Sequence, residues 1–329
     1  MNNSKVICIG EALIDRIVSA SGKESIDYLG GAPANVASAL SKLEIQSSFI
    51  GNVGDDTYGL KFLELFKKLE IDISVFEIDK KFKTRIVKVL RDKDGDRSFV
   101  GFEGNKHDFY ADEVLDRSVL KNKIHSLERL YSKSKFIITG TIMLASVKSA
   151  EAIYFLLNYA KNFKLKIVID LNWRQVFWEN STSMKIIKRE DQIKQIIDYL
   201  KFADIIKLSK EEADMFFGNS NPLKISKNFN KSPDVVITNG GSPVNWFING
   251  YVGISDIRHS GKIIDTTGAG DSFLAGLISK LVNSKKSMNN FEIQKAIQFA
   301  SACGYLTCKG EGAIEAQPNL KDVKEFLHF

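Results

Sequence analysis

With 329 residues the chain has room for one large α/β domain or two ordinary ones, and 44% apolar residues suffice for a sizeable core. Its 46 basic and 40 acidic residues leave a formal charge of +6, spread without a basic block interleaved with aromatics, so nucleic-acid binding is not expected. No apolar run approaches the ~18 residues that span a bilayer, and the run before Gly10 is too short for a signal peptide, which predicts a cytoplasmic protein without membrane contact.

In chain order, a short apolar strand over 6–9 leads into Gly10-Glu11-Ala12-Leu13-Ile14-Asp15. A carboxylate there lies where open α/β sheets bind ligands. Asp15 is either a loop or capping residue or an acceptor for a pair of hydroxyls. An irregular piece over 17–29 precedes Gly30-Gly31-Ala32-Pro33-Ala34-Asn35-Val36-Ala37. Pro33 suits the first turn of a helix over 33–43, and Asn35 falls in that turn, where its amide can donate and accept. The simpler alternative is a tight loop. A strand over 48–50 and a helix over 58–69 follow. Residues 84–91 then alternate at period two, Asp92–Asp96 reads as a turn, and 97–102 returns, which is a hairpin signature. Two β insertions in an α/β frame predict a small sheet beside the main one, serving as a lid or a dimer contact.

Strands over 136–139 and 166–171 flank a helix over 147–162. The second ends in Asp170-Leu171-Asn172-Trp173-Arg174, where Arg174 can meet a phosphate while Phe177 and Trp178 pack. A helix over 191–201 and a strand over 204–208 lead to Lys207-Leu208-Ser209-Lys210-Glu211-Glu212, at the head of a helix over 210–217. Glu212 either orients water around magnesium or is an ordinary first-turn charge. Residues 219–231 are polar and read as a loop before a strand over 235–238.

Late in the chain stands Asp265-Thr266-Thr267-Gly268-Ala269-Gly270-Asp271-Ser272-Phe273, which opens a helix over 271–281; another covers 291–306. Small residues let a ligand approach the backbone, and the free amides and dipole of a helix start seat a phosphate. An aspartate in a seat for anions makes sense if it takes a proton from an alcohol that attacks phosphorus. The bland alternative is a loop and N-cap. Strand–helix alternation throughout, with continuous apolar strands such as Ile167-Val168-Ile169, predicts a doubly wound α/β fold.

Several chemistries are missing. No P-loop motif, protein-kinase motif or complete dinucleotide fingerprint occurs. Cys8, Cys303 and Cys308 have no metal-ligand spacing and read as small core hydrophobes in a reducing compartment. His107, His125, His259 and His328 show no paired spacing and read as ordinary surface or core residues.

Together, the segments at 30–37 and 265–273 match the two signatures of the ribokinase-like (PfkB) carbohydrate kinases, and the chain resembles that family along nearly its whole length. Gly10–Asp15, Asp170–Arg174, Lys207-Leu208-Ser209 and Cys308-Lys309-Gly310 with Gly312-Ala313-Ile314 resemble fructokinases more than ribokinases or adenosine kinases. The resemblance implies a single ribokinase-like domain over 1–329. Its expected form is a doubly wound, mostly parallel sheet with helices on both faces and a small β-sheet lid from insertions at about 16–31 and 84–104.

It further implies an ATP-dependent kinase of a sugar's primary hydroxyl, fructose first, with ribose, a nucleoside or 2-keto-3-deoxygluconate as alternative acceptors. A non-catalytic sugar- or nucleotide-binding regulator is the alternative from another class. By resemblance Asp271 is the general base, and Gly268, Ala269 and Gly270 form the anion hole. Asp15, Gly30, Gly31 and Asn35 hold the sugar, with Arg85 or Arg174 available to an acid sugar. Lys207, Thr238, Gly240, Gly241 and Gly304 meet the nucleotide. Glu212 holds Mg2+ through water, and Asp265 and Thr267 hold an activating K+. Two departures stand out: Ser209 replaces the Asn of the family's N-x-x-E motif, and Gly101-Phe102-Glu103-Gly104 differs from the lid pattern of common fructokinases. Lid strands of the family often pair between subunits, so a homodimer is expected, with Phe82, Phe99 and Phe102 offering an apolar face.

Overall fold

A computed structural model describes residues 6–18, 24–91, 97–104, 109–179, 188–256, 261–284 and 287–328. The expected turn at 92–96, His107 and His259 lie outside the described residues, as does the side chain of His328. Among the described residues, no helix is long and apolar enough to cross a membrane.

The main sheet has eight strands in the order Tyr251–Ser255, Ser242–Ile248, Asp234–Asn239, Ile205–Ser209, Lys166–Asp170, Phe136–Thr139, Val6–Ile9, Ser47–Ile50. The last six are parallel, and the first two add an antiparallel edge. From Val6–Ile9 the chain goes first to Ser47–Ile50 on one side and later to Phe136–Thr139 on the other. That reversal is the topological switch point, where the carboxyl ends of the strands open a crevice.

Alternate residues of one strand enter different cores. Ile7 and Ile9, Ile167 and Ile169, and Ile206 and Leu208 face one apolar cluster. Val6 and Cys8, Val168 and Ile205 face the other. Both faces are therefore covered, which is why these strands are apolar without interruption. Each such side chain contributes about 1.5–3 kcal/mol by leaving water. The three cysteines are buried and free, Cys8 and Cys303 within the second cluster.

The edge hairpin was not foreseen. Its signal is Asn249-Gly250 between two β runs: both residues have positive φ (51° and 83°), the requirement of a two-residue turn whose twist matches the strands. Val244, Trp246 and Ile248 point inward at period two. Residues 219–231 also differ from the expected loop. Asn221 caps a short helix, Pro222–Ser226, with proline at its start. Helices Arg117–Asn122 and Ile124–Lys133 precede the strand at 136–139 in the chain.

The two β insertions join in one four-stranded sheet, ordered Ser25–Gly30, Leu13–Val18, Ile86–Arg91, Arg97–Phe102. Its middle pair is parallel and both outer pairs are antiparallel, with an irregularity at Lys88/Val89. The expected apolar face of three phenylalanines does not form. Phe82 lies outside these strands against Phe109, Phe102 turns inward onto Tyr110 and Phe177, and Phe99 overhangs the crevice.

Candidate active site

The segment 265–271 is built to start a helix without a cap. The Asp265 carboxylate is buried and accepts from the Thr267 amide (2.8 Å) and hydroxyl (2.7 Å) and from the Gly312 amide (3.2 Å). These bonds curl the loop so that Gly268 takes φ 74°; a Cβ there would lie 2.7 Å from the Ala313 carbonyl oxygen. Only glycine serves both demands. Helix Ala269–Asn283 follows, with no side chain capping its amides. It packs on Asn290–Thr307 so closely that a Cβ on Gly304 would stand 2.9 Å from the Ala269 carbonyl.

Two cavities meet at this loop. One, of about 340 Å³, is lined by Thr238, Gly240 and Gly241 at the end of one parallel strand, by Val244, Ile263, Phe273 and Tyr305, and by Ser301, Gly304 and Cys308. The other, of about 300 Å³, lies at the switch point. It is lined by Glu11, Asp15, Gly31, Asn35, Asn172, Arg174, Lys207 and Asp271, and roofed by Val87, Val89 and Phe99 of the small sheet. Thr266 and Gly270 line both. The first turn of the helix is thus the wall between them, with Ala269 on one side and Asp271 on the other.

The second cavity is dense in charge. The Lys207 ammonium donates to Asp170 at 2.8 Å in a buried pair, and it lies against Gly270. Burial opposes the Lys207 charge, yet Asp170, with Asp271 and Glu212 beyond it, holds its pKa above the ordinary value. Burial likewise pushes the Asp170 carboxyl up to about 6, against the pull of Lys207. Asp271 accepts from the Asn35 amide at 2.8 Å. Burial raises its carboxyl too, opposed by Lys207, by the Asn35 bond and by Arg174. Three buried polar atoms in this region, Glu11 Oε2, Asn35 Oδ1 and Asp170 Oδ1, have no hydrogen-bond partner among the described residues. Such atoms are costly unless a ligand or water meets them.

The remaining expected residues sort themselves by position. Gly30 ends its strand where a Cβ would press on the Asp15 carboxylate at 2.5 Å. Lys207, expected beside the nucleotide, lines the second cavity and reaches the shared wall at Gly270. Glu212 spends both oxygens on backbone amides, of Ser209 (2.7 Å) and Trp173 (2.6 Å), in the capping box of helix Lys210–Phe217. Arg174 lines the second cavity beside Phe99. Arg85 does not reach it. Its guanidinium is caged by the rings of Phe102, Tyr110 and Phe177 at 4.6–4.9 Å and bonded to Asp112 at 2.9 Å, with Glu113 at 3.5 Å. Buried pairing consumes that cation, so it is not available to an acid sugar.

Sequence reasoning passed over Glu11 and Asn172, although both stand inside motifs it singled out. The signals were present: Glu11 stands two residues after an apolar strand, and Asn172 is a residue type that tolerates the positive φ (42°) it adopts. Ile263, Phe273 and Tyr305, which wall the first cavity, carry no local signal because distant elements bring them together.

Comparison with known proteins agrees with this geometry. A model of the pfkB family of carbohydrate kinases matches residues 3–320. Probable fructokinase-2 of Arabidopsis thaliana is 30% identical, over 99% of this chain and 96% of its own. Among solved structures, fructokinase from Xylella fastidiosa with bound ATP has a TM-score of 0.85 at 23% identity, covering 99% of both chains, a likeness of fold. Fructokinase from Vibrio cholerae in its fructose-, ADP- and calcium-bound form has a TM-score of 0.80 at 26% identity, covering 99% of this chain and 100% of that one.

Proposed function

Because the chain belongs to the pfkB family of carbohydrate kinases, we propose that it transfers the γ-phosphoryl group of ATP to a primary hydroxyl of a sugar, fructose first. The observation that carries this reading is the junction itself. Two ligand-sized cavities share Thr266 and Gly270, and Asp271 stands on the polar side of that wall. The nucleotide occupies the apolar cavity with its phosphates at the helix start; the sugar occupies the charged one against Asp15, Gly31 and Asn35.

In the transfer the sugar O–H bond breaks and Asp271 takes the proton. The freed oxygen pair forms the new O–P bond, and the bond from the γ-phosphorus to its bridging oxygen breaks, leaving its electrons on ADP. Little covalent chemistry falls to the protein, so alignment and charge stabilisation dominate. A positioned base adds about 10²–10⁴-fold, and each preorganised donor of the Gly268-Ala269-Gly270 kind is worth roughly 2.7–4 kcal/mol. A raised carboxyl suits Asp271, which must accept a proton late and release it afterwards.

Among the described residues no group of three or more His, Cys, Asp or Glu is arranged to hold a metal ion. Three carboxylates, Asp170, Glu212 and Asp271, nonetheless act on the one Lys207, and Asp170 Oδ1 is unpartnered. That surplus fits Mg2+ entering on the nucleotide phosphates, with Glu212 and Asp170 behind its waters; when bound it neutralises charge on the phosphoryl oxygens. An alkali cation, K+ by preference, would be held by oxygens of Asp265 and Thr267 and would stiffen the loop. A homodimer through the four-stranded sheet is part of the same reading; that sheet leaves Ile26 and Val100 exposed.

The test is ADP release by the purified chain over a panel of fructose, ribose, nucleosides and 2-keto-3-deoxygluconate, with Mg2+ and with or without K+. Fructose should give the highest kcat/KM. No rise above the ATP background with any sugar would leave a binding protein in place of a kinase.

A further inference from the structure

Glu11 is a carboxyl in an unusual setting. It is 1% exposed, yet it lines the polar cavity. Its Oε1 accepts from the Ala32 amide at 2.9 Å, at the start of helix Ala32–Lys42, while Oε2 has no partner among the described residues. The charges that bear on it are acidic, and Arg174 across the cavity acts on Asp271 instead. Asp112, from the 3₁₀ turn Ala111–Val114, is held by Arg85. Asp271 comes from helix Ala269–Asn283, and Tyr199, from Arg189–Leu200, donates to Thr139. Asp15, Arg174 and Lys207 share the cavity, and Lys207 is committed to Asp170. Among the described residues no cation pairs with Glu11, so an ionised carboxylate there has no countercharge.

On the sugar-kinase reading, we propose that Glu11 is a sugar-contacting residue that works as a neutral carboxylic acid, its Oε2–H donating to a hydroxyl oxygen of the sugar while Oε1 fixes Ala32. The geometry assigns the proton: Oε1 already accepts an amide, and the orphaned Oε2 is the atom left to carry hydrogen. Asp15 and Asp271 can only accept from sugar hydroxyls while ionised, so a donor completes the set. Burial, reinforced by Asp112 and Asp271 and opposed by its backbone hydrogen bonds, pushes the Glu11 carboxyl up to about 8. It is therefore neutral at pH 7 and ionises just above.

The experiment is calorimetric binding of D-fructose to the full chain without ATP, from pH 6.5 to 9. For a group near pH 8, the wild-type Kd should rise about tenfold between pH 7 and pH 9. Near pH 8.5, binding should take up a proton, seen as heat that depends on the buffer's ionisation. Glu11→Gln supplies a permanent donor and acceptor of the same shape. It should keep Kd within about threefold of wild type at pH 7 and abolish the alkaline rise, whereas Glu11→Ala should weaken binding at every pH. A merely structural glutamate would not make Gln insensitive to pH. Wild-type affinity that is flat to pH 9, or an alkaline rise that persists in Glu11→Gln, overturns the assignment. Both measurements use wild type as well as variants, so a poorly folding variant leaves the answer intact. If wild type binds no sugar even at pH 6.5 and the panel yields no turnover, the sugar-kinase reading itself falls, and this one with it.

Discussion

The two cavities are built on opposite principles. Among the described residues no Asp, Glu, Lys or Arg lines the first; glycine backbone, Val244, Ile263, Phe273 and Tyr305 form it. The second gathers Glu11, Asp15, Arg174, Lys207 and Asp271 in a similar volume. A flat, largely apolar base is held by shape and area, which tolerates many residues. A polyol that must lose a proton needs donors and acceptors fixed in place, and burying them raises Glu11, Asp170 and Asp271 together. On the kinase reading, charge sits where chemistry is to be done, and the first helical turn between the cavities serves both.

That contrast can be broken in order of expected effect. Asp271→Asn keeps the shape and the Asn35 neighbour but removes the proposed base. We expect kcat to fall at least ~10²-fold with ATP affinity retained, measured by steady-state kinetics and nucleotide binding. Near-normal turnover would take Asp271 out of that role. Gly268→Ala strikes the shared wall, where its Cβ meets the Ala313 carbonyl at 2.7 Å and φ is 74°. Strain of about 1–3 kcal/mol should lower the unfolding midpoint and raise both KM values, because the wall belongs to both sites. A change in one KM alone would show that the cavities are not joined there.

Smaller effects separate the two sides. Asp15→Ala should raise the sugar KM about tenfold with the ATP KM nearly unchanged. Tyr305→Ala should do the reverse, raising the ATP KM by about three- to tenfold through lost contact area. If Asp15→Ala moved the ATP KM, or Tyr305→Ala the sugar KM, the assignment of ligands to cavities would be reversed.

What the sequence revealed follows the same division. Parallel strands were legible because both their faces are buried, so Ile167-Val168-Ile169 is apolar throughout. Residues that the structure gathers at the junction, Asp15, Asn35, Gly270 and Asp271, sit in compact motifs whose small neighbours announce a close approach. Arg85 misled because a cation at the head of a β run says nothing of Asp112, 27 positions on, which binds it. Glu11 went unnoticed for a related reason: that no cation among the described residues pairs with it is a property of the folded environment. The edge hairpin was missed although Asn249-Gly250 named it; the polar start of Ser242–Ile248 hid the alternation behind it.

The most direct measurement uses a ligand in which the primary hydroxyl of fructose is tethered to ADP through a phosphate bridge. If the polar and apolar cavities form one path across Gly270, it should inhibit competitively against both ATP and fructose. Competition against ATP alone, with the fructose site still free to fill, would contradict the account.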